Sequence, residues 1–138
     1  MNHAPFSFER LDHLVLRTPD PETLVTFYRQ LGATIERDAS DTIGLVQLRL
    51  GESLLDILDI NGKLGGDHPD GSKGRNLDHF AVRIHPFNAS DISEFCQAHQ
   101  IPCEVMPMPL LGADGLGPAV YIEDPDGNRI ELKGPPEA

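Results

Sequence analysis

A seven-residue phrase occurs twice in this chain. Leu11-Asp12-His13-Leu14-Val15-Leu16-Arg17 returns as Leu77-Asp78-His79-Phe80-Ala81-Val82-Arg83, with His79 following His13 by 66 positions. Four of the seven positions are identical and the other three stay apolar. Such a repeat restricts the chain to two copies of one supersecondary unit, because each copy must satisfy the same arrangement of apolar and polar faces. A length of 138 residues fits that reading, as one domain or two small modules sharing a core.

The residues after each phrase repeat as well. Asp20 is placed as an N-cap, with Pro21 at the first helical position, and Leu24, Phe27, Tyr28 and Leu31 share one helical face. Gly32 supplies the stop. The second copy starts its helix near Asn88 to Ser90, and Ile92, Phe95, Cys96 and His99 take the same spacings, with Cys96 read as a core residue. Strands are then expected over 33–37, 43–50 and 53–60, and again over 102–106, 119–123 and 128–133. Each half therefore reads strand, helix, three strands: the first module spans 9–60, the second 77–134. Glycine-rich residues 61–76 form a linker, residues 106–118 a Pro- and Gly-rich loop, and Asp124-Pro125-Asp126-Gly127-Asn128 a tight turn.

Strand parity sorts the chemistry. Leu14 and Leu16 share an apolar face, leaving His13, Val15 and Arg17 on a mixed one. In the repeat Phe80 and Val82 oppose His79, Ala81 and Arg83. Aligning Leu55-Asp56-Ile57 with Ile130-Glu131-Leu132 makes Asp56 and Glu131 counterparts. Asp56 lies among Leu54, Leu55, Ile57 and Leu58, where a carboxylate is costly unless it is paired or bound to a cation. Two imidazoles and two carboxylates at matching positions suit a divalent Zn, Ni, Mn or Fe(II) ion. The competing reading pairs Asp56 or Glu131 with Arg17 or Arg83. His3, His68, His85 and His99 lack such counterparts and read as solvent residues.

Composition removes other classes. With 22 Asp+Glu against 11 Lys+Arg the net charge is −11, which disfavours nucleic acid and anionic membrane surfaces. Two cysteines are too few for a disulfide framework and lack metal or redox spacing. No apolar run approaches the roughly 18 residues of a membrane span, and no secretory signal is recognisable, so a cytoplasmic location is expected.

The repeated Leu-Asp-His phrase, Phe27-Tyr28-Arg29-Gln30-Leu31-Gly32 and Asp124-Pro125-Asp126-Gly127-Asn128-Arg129-Ile130-Glu131-Leu132 together resemble the vicinal oxygen chelate superfamily. That group contains glyoxalases, bleomycin-resistance proteins, fosfomycin-resistance thiol transferases and extradiol dioxygenases. The resemblance covers nearly the whole chain. It implies a single α+β glyoxalase-like domain over 1–138, of two tandem βαβββ modules forming a curved mixed sheet with a metal-binding cavity. It implies His13, His79 and Glu131 as metal ligands, with Asp56 where glyoxalase-like members usually carry Glu. Asp is shorter by one methylene. The implied activity is that of a metal-dependent lyase or isomerase acting on a small molecule that chelates the ion through adjacent oxygens. Glu131 would act as base and Asp56 as its partner, with Arg17, Arg83 and Tyr121 as substrate contacts and a homodimer as the assembly. The alternatives are an antibiotic-binding dimer without catalysis and an extradiol-type dioxygenase.

Overall fold

The computed structural model describes residues 10–64, 77 and 79–137. The chain divides into two compact units, Met1–Asp70 and Gly71–Ala138. The expected linker lies outside the described residues from 65 onward, as do His3, His68 and Asp78.

The N-terminal unit runs β1 (His13–Thr18), α1 (Pro21–Gln30), β2 (Thr34–Ala39), β3 (Leu45–Leu50) and β4 (Ser53–Asp59). Its sheet has the order β1-β4-β3-β2, with β1 parallel to β4 and the other pairs antiparallel. Asp20 caps α1 as expected: its carboxylate accepts the Thr23 amide at 3.2 Å and the Thr23 hydroxyl at 2.7 Å. Leu24, Phe27 and Tyr28 are buried and α1 packs against β4, where Leu55 and Ile57 are also fully buried. Gly32 ends the helix at φ +108°, a backbone conformation that disfavours any side chain. A register shift between Ile35 and Arg37 leaves Glu36 as an extra residue, which meets Arg49 at 3.2 Å.

The C-terminal unit follows the same plan with an insertion. It runs β5 (Phe80–Arg83), α2 (Ala89–Ala98), β6 (Cys103–Val105), β7 (Leu110–Gly112), β8 (Gly115–Gly117), β9 (Ala119–Glu123) and β10 (Arg129–Lys133). The sheet order β5-β10-β9-β6 reproduces the first sheet, again with the outer pair β5 and β10 parallel. Both units are therefore α+β and built on the βαβββ pattern, each with a four-stranded mixed sheet. Asn88 caps α2 through the Asp91 amide at 3.0 Å, and Cys96 packs in the core. Burial, with Cys103 close by, pushes the Cys96 thiol up to about 12.

Residues 106–118 depart from the expectation of a plain loop: β7 and β8 pair within them as a separate two-stranded sheet. Glycine-rich strands give little strand signal, and this hairpin depends on Lys133. Its buried ammonium donates to the Leu110 carbonyl at 2.6 Å and the Gly117 carbonyl at 3.1 Å. A Cβ at Gly112 would fall 2.9 Å from Lys133 Cε. The turn into β10 is as expected, with Asp124 accepting the amides of Asp126 and Asn128 at 2.9 Å each. No helix among the described residues is long and apolar enough to cross a membrane.

Candidate functional site

Register places the candidate residues. In the N-terminal unit Val15 pairs with Asp56 and Asp56 pairs with Gln47. In the C-terminal unit Ala81 pairs with Glu131 and Glu131 pairs with Tyr121. Each carboxylate thus lies opposite the residue two positions after the repeated histidine. Asp56 and Glu131 occupy equivalent points of two equivalent sheets, on the faces turned away from the helix-covered apolar side. His79 and Glu131 meet, with Nε2 and Oε2 3.3 Å apart. Tyr121 stands edge-on to the His79 ring at 5.5 Å between centroids. The Arg129 guanidinium stacks on Tyr121 at 4.2 Å.

His13 is more exposed and its Nδ1 lies 2.8 Å from Asp12 Oδ2. That hydrogen bond, then the nearby charge of Asp56, holds the His13 pKa above its ordinary value. The same contact lowers the Asp12 carboxyl. Asp56 is only 6% exposed and Glu131 likewise 6%. Asp56 Oδ2 accepts from Gln47 Nε2 at 3.4 Å, whereas its buried Oδ1 has no hydrogen-bond partner among the described residues.

The arginines differ from one another. Arg83 forms an ion pair with Asp114 of the β7–β8 turn, not with either candidate carboxylate. Arg17 is half-buried on the mixed face of β1. His85 and His99 are exposed, as expected of solvent residues. Two contributors escape the sequence reading. Gln47 has a chemically different counterpart in Tyr121, so the repeat gives no hint of it. Arg129 follows the tight turn and shares the parity of Glu131, a signal that is present in the sequence. Together with Cys103, Glu104, Tyr121 and Glu123, Arg129 lines a hollow of about 200 Å³ in the C-terminal unit.

The donor chemistry suits a divalent ion. A buried carboxylate oxygen without a partner is the kind of group a cation satisfies, and the His79–Glu131 pair sets an imidazole nitrogen beside a carboxylate oxygen. Among the described residues, no three or more His, Cys, Asp or Glu side chains gather into a group that could hold a metal ion. Each unit offers one imidazole and one carboxylate at matching positions.

The model of the Glyoxalase/Bleomycin resistance protein/Dioxygenase superfamily matches residues 10–132. Solved structures agree on the fold. A virulence protein from Salmonella typhimurium superposes with a TM-score of 0.74 at 23% identity, covering 94% of this chain and 99% of that one. A fosfomycin resistance protein from Listeria monocytogenes gives 0.67 at 18% identity over 92% and 91% of the two chains. Lactoylglutathione lyase from Agrobacterium tumefaciens gives 0.65 at 20% identity over 93% and 95%. No curated protein matches the chain. With the repeated units, the matching registers and a family match over most of its length, the chain belongs to the glyoxalase/bleomycin resistance protein/dioxygenase superfamily.

Proposed function

We propose that this protein is a metal-dependent lyase or isomerase of the glyoxalase type, acting on a small substrate that offers adjacent oxygens to a divalent ion. One observation carries the reading: the repeat sets a histidine and a buried carboxylate at the same register in both units. Lactoylglutathione lyase among the fold's solved relatives supports the choice of reaction class.

In this proposal His13, His79 and Glu131 hold the ion and Asp56 completes the set. Zn, Ni, Mn and Fe(II) all suit imidazole and carboxylate donors. When bound, such an ion polarises a carbonyl and stabilises negative charge developing on its oxygen. The chain's own groups supply the rest. Glu131 takes a proton from one substrate carbon and returns it to the neighbouring carbon. Its burial keeps bulk water from competing for that proton. Asp56 is its partner carboxylate. Tyr121, beside His79, together with Arg17 and Arg83 are the proposed substrate contacts, Arg83 also pairing with Asp114.

Metal analysis with an activity assay tests the proposal. Protein incubated separately with Ni, Zn, Mn and Fe(II) and desalted should retain one of them and isomerise the thiol adduct of a 2-oxoaldehyde. His79→Ala should lose both properties. Protein that stays metal-free in all four would sink the catalytic reading and leave the antibiotic-binding alternative. Oxygen-dependent cleavage of a catechol by the Fe(II) form would transfer it to the dioxygenases. The homodimer and the cytoplasmic location belong to the same proposal, and light scattering of the purified protein tests the first.

A further inference from the structure

The two candidate carboxylates are equivalent in register but are held by different means. Glu131 has the His79 imidazole at one oxygen. Asp56 instead has its Oδ2 accept from the neutral amide of Gln47, directly opposite on β3. On that face Val15 lies across the parallel pair with His13 and Arg17 on either side of it, and Leu54 and Leu58 lie two residues away along β4. Arg49, the next residue of β3 on the same face, is engaged by Glu36. One oxygen of a nearly enclosed carboxylate is thus tethered and the other is bare.

A neutral donor has a particular consequence. An Arg or Lys at position 47 would fix the carboxylate equally well but would neutralise it, whereas an amide restrains the side chain and leaves its full charge available. We infer that Gln47 is a positioning residue: it holds Asp56 Oδ2 so that Oδ1 remains the atom offered to a divalent ion. This role rests on the proposed metal binding and falls to a residue that does not itself touch the ion.

Co(II), whose visible absorption reports coordination, is the probe, titrated into the full-length protein. Gln47→Met keeps the volume and removes the donor. It should weaken Co(II) binding by about 10–100-fold, the usual effect of losing such a supporting hydrogen bond. Its far-UV circular dichroism should match the wild type, while the Tm of the metal-free protein falls because Asp56 Oδ2 loses its donor. Asp56→Asn should weaken binding too, and the double variant should be no weaker than Asp56→Asn alone, because Gln47 acts only through Asp56. A Gln47→Met protein that binds as tightly as wild type while Asp56→Asn is impaired overturns the positioning role alone. So do losses that add in the double variant. Wild-type protein that takes no Co(II), or Asp56→Asn that binds normally, removes the metal reading of Asp56 and the role of Gln47 with it.

Discussion

The N-terminal unit presses Leu24, Phe27 and Tyr28 of α1 out of solvent, whereas α2 of the C-terminal unit buries Cys96 alone among its residues. The candidate sites diverge in the opposite sense. In the C-terminal unit the carboxylate, the histidine and an aromatic neighbour form a connected group; in the N-terminal unit the histidine turns to Asp12 and the carboxylate is left with a bare oxygen. Duplication has preserved what the sheet needs, namely register and strand order. The contacts around each copy were free to change. The better-packed unit carries the less satisfied carboxylate, a distribution expected when a strong core offsets an unfavourable functional group.

The two units should respond unequally to matched substitutions. Leu24→Ala removes a fully buried side chain and should cost about 2–5 kcal/mol in denaturant titration. Ile92→Ala, at a corresponding but half-buried position, should cost about 1 kcal/mol. Equal losses would show that the two helices contribute alike, contrary to their burial.

The carboxylates should respond with opposite sign in metal-free protein. Asp56→Asn removes a buried charge with an unpartnered oxygen and should stabilise the fold, by about 1 kcal/mol. Glu131→Gln weakens the contact with His79 and should destabilise it by about 1 kcal/mol. Two destabilising changes would mean that Asp56 is as well satisfied as Glu131.

Smaller differences lie in the caps. Asn88→Ala should cost about 1 kcal/mol through α2. Asp20 caps α1 with an ionisable group whose pKa is lowered by its hydrogen bonds to the Thr23 hydroxyl and amide. A lowered folded-state pKa gives stability that is present above the ordinary value of 3.8 and lost as pH falls through the folded one. Acid should therefore loosen the Thr23 amide before the Asp91 amide, whose cap does not titrate. Amide hydrogen exchange across that pH range checks the order.

Much of the fold is legible in the sequence because its signals are local and doubled. The repeated phrase, the Asp20-Pro21 start and the Asp124 turn each act within a few residues, and parity puts Asp56 and Glu131 on the mixed faces. The hairpin of β7 and β8 is not legible because its cause is distant: Lys133 reaches carbonyls 23 and 16 residues away. Gln47 escapes for a related reason. A polar residue in the middle of a strand has no distinctive spacing, and only the β3–β4 register brings it to Asp56. The ion pair of Arg83 with Asp114 is not legible for the same reason, since only the turn of the β7–β8 hairpin brings Asp114 to it.

In the proposed function the two matching His–carboxylate pairs serve one ion. Metal content per chain, measured by inductively coupled plasma mass spectrometry after loading and gel filtration, tests this when wild type is compared with His13→Ala and His79→Ala. About one ion per chain is expected in the wild type, and its loss in either variant, since such an ion takes three or four donors and the proposal draws them from both histidines. Two ions per chain, or one that survives either substitution, would contradict it.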